Sequence, residues 1–200
     1  MRRGVYGGTF NPVHLGHVKL AEAHREALAL DRLMVIPTYL PPHKAGDGLV
    51  EGRHRLEMCR LAFAGDPAAE VSDLELRRGA KSYTVDTLEA LTAGYPGDEL
   101  YLLMGSDMFL TLTQWRSFER IFQLAVVCAG AREPGLRDRL EAHAALLRER
   151  YGARCRVIAF SPLPISSTLV RERAGRGEPL CGLVPPGVAE YIVANGLYAR

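Results

Sequence analysis

The chain has 200 residues, of which 48% are hydrophobic and 24% are charged. This composition is typical of a globular protein and excludes disordered and fibrous classes, and the length fits one domain with its own core. A formal net charge of +2 is too small to indicate a nucleic-acid partner, so any attraction for phosphate must be local.

The cysteines and the apolar runs indicate in which cellular compartment the protein is expected. Cys59, Cys128, Cys155 and Cys181 are widely spaced, which argues against a zinc knuckle or a redox dithiol and favours a reducing compartment. No apolar run approaches the roughly 20 residues of a membrane span, and the N-terminal sequence lacks a signal-peptide pattern. We therefore expect a cytoplasmic protein that needs no membrane.

The apolar pattern alternates between strands and helices along the chain. Strands are predicted near residues 4–6, 32–36, 71–76, 100–104, 124–128 and 155–160. Helices are predicted over residues 14–28, 52–64, 85–93, 118–123 and 136–150. This alternation predicts a single α/β domain (1–200) with a doubly wound parallel sheet, whose ligands bind where the strand order switches.

Two parts of the chain depart from that alternation. Residues 161–200 form a helical subregion, with short helices predicted over 167–173 and 187–195. The Pro- and Gly-rich stretch 37–49 is predicted to be a long loop, and such loops often bind ligands.

The segment from Gly7 to His17 is predicted to bind phosphate. Gly7 and Gly8 follow the first strand and let the backbone turn close to a ligand. His14 and His17 lie three residues apart on one helical face, and Gly16 keeps a side chain out of the way. A helix start after a glycine turn offers N–H groups and partial positive charge to an anion. A plain turn with ordinary histidines, or a histidine metal site without an evident third ligand, remains an alternative.

A second anion site is predicted near residue 168. Ser166, Ser167 and Thr168 precede an apolar turn, which is typical of a helix N-terminus. Arg171 lies three residues after Thr168 on the same face, so hydroxyls, N–H groups and a guanidinium would point at one anion.

Other motifs have both structural and functional interpretations. Pro41 and Pro42 stiffen the segment before His43 and Lys44, as a simple turn or to aim both side chains at a charged substrate. Trp115 is a core anchor or a ligand platform.

Two further segments are predicted to open helices. Thr84 is predicted to cap the helix that follows the segment 82–88, and the turn at Gly105 and Asp107 follows the fourth strand, where it caps a helix or contacts a ligand.

Together these segments resemble the HxGH nucleotidyltransferase superfamily. There a His-x-Gly-His tetrad follows a Gly-Thr/Ser-Phe-Asp-Pro turn, and Asn11 stands here where that pattern has Asp. The family's C-terminal motif, which holds the ATP phosphates, is similar to Ile-Ser-Ser-Thr-x-x-Arg beginning at Ile165. The Pro-Pro-His-Lys tetrad and the Ser-Tyr-Thr-x-Asp-Thr-Leu segment look like those of bacterial nicotinate-nucleotide adenylyltransferases.

The resemblance implies transfer of an adenylyl group from ATP to nicotinate mononucleotide, which gives deamido-NAD and pyrophosphate. Mg²⁺ is expected to arrive with ATP rather than in a site made by the protein. The alternatives are nicotinamide mononucleotide or phosphopantetheine as acceptor, or a non-catalytic nucleotide-binding regulator. A homo-oligomer is left open.

The resemblance also implies roles for particular residues. The catalytic residues are expected to be His17, His14, Arg171 and Lys44. Contacts to ATP are expected from Gly7, Gly8, Thr9, Phe10, His14, Gly16, His17, Gly105, Asp107, Ile165, Ser166, Ser167, Thr168 and Arg171. The nicotinate nucleotide is expected to contact Asn11, His43, Lys44, Tyr83, Thr84, Trp115 and Arg132.

Overall fold

A computed structural model describes residues 1–41, 48–131 and 134–199. Its strands are β1 (Arg2–Gly8), β2 (Arg32–Pro37), β3 (Ala69–Val71), β4 (Glu99–Gly105), β5 (Ala125–Ala131) and β6 (Cys155–Ala159). Its helices are α1 (Leu15–Leu28), α2 (Gly52–Phe63), α3 (Leu74–Arg78), α4 (Thr84–Gly94), α5 (Ser106–Leu110), α6 (Phe118–Leu124), α7 (Pro134–Tyr151), α8 (Ser167–Gly175) and α9 (Pro186–Ala194), with a 3₁₀ turn at Leu112–Gln114.

The strands form one six-stranded parallel sheet in the order β3-β2-β1-β4-β5-β6. The predicted α/β fold with a parallel sheet is therefore confirmed. Strand order switches direction between β1 and β4, where Val5 pairs with Leu102. All seven residues of β5 are buried, as expected for a central parallel strand covered on both faces.

The chain divides into two compact units. The first unit comprises Met1–Gly7, Leu20–Met34 and Tyr83–Pro162. Its core is built on β4 and β5, and α7, which packs against β5 and β6, contributes the fully buried side chains of Leu140, Ala144 and Leu147.

The second unit comprises Gly8–Lys19, Val35–Ser82 and Leu163–Arg200. Here α2 packs against β3 and α9. Apolar side chains of both helices are buried in this unit, among them Met58 and Phe63 of α2 and Val188 and Ile192 of α9.

The predicted strand over residues 71–76 is wrong in its second half. The strand ends at Val71, and α3 begins at Leu74. Gly79 ends this helix in the left-handed conformation, with φ of 64° and its N–H donating to the carbonyl of Glu75. Glycine adopts that conformation at little cost, so a glycine just past a short apolar segment favours a helix end over a strand.

The segment after β4 contains more helix than the pattern indicates. Gly105 is the last residue of β4, and α5 begins at the next residue. The 3₁₀ turn follows at once. Both are too short to show a clear helical periodicity, so the sequence allows a helix cap at Gly105 but does not indicate the extent of the helix.

Candidate functional site

After β1 the left-handed backbone conformation is taken by Phe10 rather than by the glycines. Gly7 and Gly8 lie within β1, whereas Phe10 has a φ of 46° and is 3% exposed. A Cβ at Gly8 would lie 2.8 Å from Cζ of Phe10. The expected glycine turn is therefore corrected: Gly8 makes room for the ring of Phe10, which takes the left-handed conformation itself.

The two histidines are brought together by the start of α1. His14 immediately precedes the helix, and His17 lies in its first turn. Their ring centroids are 3.7 Å apart at an interplanar angle of 29°. The backbone N–H of His14 donates to Nδ1 of His17 over 3.2 Å. Because Nδ1 is the acceptor, a neutral His17 carries its proton on Nε2, the nitrogen that can donate to a phosphate oxygen.

Gly16 makes room for a ring of the protein itself. A Cβ there would meet Nδ1 and Cε1 of His14 at 3.0 and 3.1 Å. The sequence predicts that Gly16 leaves space for a ligand. The neighbour that needs the space in this structure is the His14 imidazole.

The two predicted phosphate motifs lie side by side in the second unit. Ser167 Oγ donates to the carbonyl of Pro12 over 2.9 Å. Arg171 donates from Nη1 to the carbonyl of Asn11 over 2.8 Å, and from Nη2 to Oγ1 of Thr168 over 3.2 Å. The bonds to Pro12 and Asn11 join residues more than 150 positions apart.

The start of α8 is capped as the sequence predicts. Ser166 is the N-cap, and its hydroxyl oxygen accepts the N–H of Leu169 over 3.1 Å. Ile165 precedes it, and the Ile165 carbonyl lies 3.8 Å from where a Cβ of Gly16 would be. The residue before the N-cap of α8 therefore lies close to the first turn of α1.

Asn11 connects three segments through its side chain. Its Nδ2 donates to the carbonyl of Gly48 over 2.8 Å, while Oδ1 accepts from the N–H of Val50 at 3.2 Å and from the hydroxyl of Tyr198 at 2.9 Å. Asn11 is 8% exposed. Its predicted contact with the nicotinate nucleotide stays a prediction, but most of its side-chain bonding is to the protein itself.

Arg55 of α2 is the residue that sequence reasoning missed. It is 1% exposed, and its guanidinium donates to four backbone carbonyls, those of Thr9, Thr38, Tyr39 and Val50, at 2.6 to 3.2 Å. Burial lowers the pKa of Arg55, and the nearby Cys59, Tyr198 and Glu75 oppose that shift. An arginine on the apolar face of a helix, one turn before Met58 and Cys59, was the signal available in the sequence.

The first unit contains the other predicted contacts. Tyr83 precedes α4, and the guanidinium carbon of Arg116 lies 4.6 Å from its ring centroid, a cation–π contact. Trp115 is half-buried and ends the 3₁₀ turn. Its backbone N–H donates to the carbonyl of Leu112. Thr84 was predicted to cap α4, which is wrong: Tyr83 occupies the N-cap position, and Thr84 is the first helical residue.

Gly105 and Asp107 lie at the junction of β4 and α5. Gly105 is the N-cap of α5 in an extended conformation, and the exposed Asp107 lies in the first turn. A carboxylate there interacts favourably with the positive end of the helix. His43, Lys44 and Arg132 lie outside the described residues, so their predicted roles stay predictions.

Within the described ranges no group of three or more His, Cys, Asp or Glu side chains could hold a metal ion. In the same ranges no helix has both the length and the apolar character needed to cross a membrane.

The model of the cytidylyltransferase-like family matches residues 5–173, a span that includes both phosphate motifs. The chain belongs to the cytidylyltransferase-like family. Within it, a relative from Trichlorobacter lovleyi is 40% identical, with 99% of both chains covered, and one from Geobacter metallireducens is 42% identical, with 100% of this chain and 99% of the relative covered. Both bear the name "Probable nicotinate-nucleotide adenylyltransferase". The resemblance predicted from the sequence is thereby confirmed.

Solved structures of this cytidylyltransferase-like fold agree with the topology. Nicotinic acid mononucleotide adenylyltransferase of Plasmodium falciparum, complexed with NaAD, has a TM-score of 0.80 at 18% identity, with 98% of this chain and 97% of that chain covered. At this identity the likeness shows the fold alone.

Proposed function

We propose that the chain transfers the adenylyl group of ATP to nicotinate mononucleotide, releasing pyrophosphate and forming deamido-NAD. The observation that carries the proposal is the direct bonding of the two phosphate motifs, Ser167 to Pro12 and Arg171 to Asn11. The names of the full-length relatives support the choice of reaction and acceptor.

The arrangement suits a reaction that needs no protein nucleophile. The acceptor phosphate is largely dianionic near neutral pH, since its second pKa is about 6, so it attacks the α-phosphate without a strong base. Catalysis then depends on in-line positioning and on stabilising the charge that develops on the α-phosphate and the leaving pyrophosphate.

Each phosphate has a proposed donor. His17 donates from Nε2 to the α-phosphate, and the neighbouring His14 contacts an adjacent phosphate. Arg171 binds the β- and γ-phosphates together with Ser167 and Thr168. Arg171 uses one N–H of each terminal nitrogen for the bonds to Asn11 and Thr168, so other N–H groups of the fork remain for phosphate oxygens.

The acceptor is proposed to contact aromatic and hydroxyl side chains. Tyr83 and Trp115 supply aromatic surface, and Thr84 adds a hydroxyl at the start of α4. Mg²⁺ would be carried by the ATP phosphates and keep several waters. The use of ATP is consistent with a cytoplasmic location of the protein, and that location stays a prediction.

The acceptor comparison tests the reaction. With ATP and Mg²⁺ present, kcat/KM is measured for nicotinate mononucleotide, nicotinamide mononucleotide and phosphopantetheine. We expect the nicotinate compound to give the highest value, because specificity is a difference in transition-state binding. A higher kcat/KM for one of the other two compounds would change the assigned acceptor. If none of the three is converted, the proposed activity is wrong.

Replacing His17 by Ala tests whether the site around His17 is catalytic rather than the nucleotide-binding site of a regulator. We expect kcat to fall at least about 100-fold, the usual cost of losing one transition-state donor, with a smaller loss of ATP affinity. His54→Ala is the control, because His54 bonds to Tyr191 instead of a phosphate motif. Unchanged kcat in His17→Ala would contradict the assigned role.

A further inference from the structure

Tyr198 is held in place against a phosphate motif by three features of the fold. Its hydroxyl donates to Oδ1 of Asn11 over 2.9 Å, although the two residues are 187 positions apart. Its backbone has a φ of 66°, a conformation that L-residues other than glycine adopt only at a cost. Its carbonyl lies 3.0 Å from where a Cβ of Gly175 would be, so the glycine that ends α8 permits this approach.

Asn11 transmits that contact to Arg171. The side chain of Asn11 receives the Tyr198 hydroxyl, while its backbone carbonyl receives Nη1 of Arg171. The position of the Asn11 main chain therefore decides where the guanidinium rests. Loss of the hydrogen bond between Tyr198 and the Asn11 side chain would therefore shift the Asn11 carbonyl that accepts from Arg171.

The electrostatic surroundings keep Tyr198 a hydrogen-bond donor. Burial raises the pKa of its hydroxyl, and the nearby guanidinium groups of Arg171 and Arg55 oppose that shift. The hydroxyl therefore stays protonated at neutral pH and can donate to Asn11.

We propose that Tyr198 is a positioning residue for phosphate binding: through Asn11 it fixes the main chain that supports Arg171 and so aligns the guanidinium with the anionic end of the nucleotide. This inference rests on the proposed function, in which Arg171 binds the β- and γ-phosphates. Tyr198 itself need not touch the substrate.

Tyr198→Phe removes the hydroxyl and keeps the ring. We expect the dissociation constant for ATP, and that for inorganic tripolyphosphate, to rise about 5- to 10-fold in titration calorimetry, the range of one lost hydrogen bond. Tyr191→Phe is the matched control, since it loses one hydroxyl bond, that to Nδ1 of His54 at 3.0 Å, without touching Asn11.

A double-mutant cycle with Arg171→Gln separates positioning from general loosening. If Tyr198 acts through Arg171, Tyr198→Phe should have almost no further effect on ATP affinity in the Arg171→Gln background, because coupled residues are not additive. An equal effect in both backgrounds, or equal affinity changes in Tyr198→Phe and Tyr191→Phe, would overturn the proposal. If the wild-type protein binds ATP but converts no acceptor, the proposed function is wrong. The comparison of ATP affinities would still test the role of Tyr198.

Discussion

At the scale of single residues, the motif glycines act through the space that they leave for aromatic rings. Gly8 lies under the ring of Phe10, and Gly16 lies under the ring of His14. Phe10 in turn contacts His17 edge to face, with centroids 5.1 Å apart. The glycines of the phosphate turn therefore set the positions of the rings.

Gly16→Ala tests this role of glycine. The added Cβ would displace the His14 imidazole, whose ring stacks on His17, so we expect kcat to fall about 10- to 100-fold, as small misplacements in an active site do. Steady-state kinetics measures the effect. Gly94→Ala, at the exposed end of α4 with open space around it, should raise stability by about 0.5–1 kcal/mol without changing kcat. Unchanged kcat in Gly16→Ala would show that the ring position does not matter.

At the scale of elements, α2 organises the second unit through a buried cation. Arg55 joins the turn after β1, the end of β2 and the segment before α2 by its bonds to Thr9, Thr38 and Val50. Backbone carbonyls that are buried without a partner are costly. One guanidinium therefore satisfies carbonyls that loop backbone would otherwise leave unpaired.

Arg55→Lys retains the charge and loses the planar fork. An ammonium cannot reach all of the carbonyls that the guanidinium bonds, and each carbonyl left unpaired costs about 1–3 kcal/mol. We expect the free energy of unfolding in urea to fall by about 2–4 kcal/mol. Arg53→Lys on the same helix, where the side chain is 73% exposed, should change it by less than about 0.5 kcal/mol. A similar small change in Arg55→Lys would contradict the assigned role.

Helix α1 contributes a pH dependence through His24. This side chain is fully buried, and its Nδ1 donates to the carbonyl of Leu20 over 2.8 Å. Burial lowers the pKa of His24 below its usual 6.5. As pH falls below 6.5, the unfolded chain takes up a proton before the folded one does, so stability is greatest above that pH and is lost toward acid.

The measurement compares wild type with His24→Phe. Between pH 7.5 and 5.5 the wild type should lose stability more steeply, with an extra slope of up to about 1.4 kcal/mol per pH unit from this one group. Urea unfolding at several pH values gives the two curves. Parallel curves would mean that His24 is not held neutral in the folded state.

At the scale of the whole molecule, a parallel sheet places its strand ends at one edge. The order of the strands switches between β1 and β4, and ligands of such sheets bind outside the carboxyl ends at this switch. The turn that is proposed to bind phosphate follows β1 directly. A nucleotide that binds the folded chain and not the unfolded chain is expected to stabilise the folded state.

Thermal unfolding measures that linkage. ATP at 100 times its dissociation constant should add about 2.7 kcal/mol and raise Tm by about 5–10 °C for a chain of this size. Arg171→Gln should reduce the shift at the same ATP concentration. Arg173→Gln on the same helix, where Arg173 pairs with Glu178 at 3.7 Å, should keep it. Equal shifts in both variants would remove Arg171 from the phosphate site.

The strands show how far the pattern could predict the fold. Continuous apolar runs at β4 and β5 are long enough to be recognised, and both were predicted within three residues of their bounds. At residues 71–76 the pattern failed, because Leu74 and Leu76 fit a strand and a short helix equally well. Only the conformation of Gly79 separates the two.

By itself, the sequence determined the family and the fold class, and it located the two motifs for which phosphate binding is proposed. Each motif is local, so its spacing already places histidines, hydroxyls or a guanidinium on one turn of helix. Only the tertiary structure decided which residues support these motifs. Arg55 bonds to Thr9 and Tyr198 bonds to Asn11 across 46 and 187 positions of the chain. Such contacts depend on how the elements pack, and no periodicity along the chain encodes them.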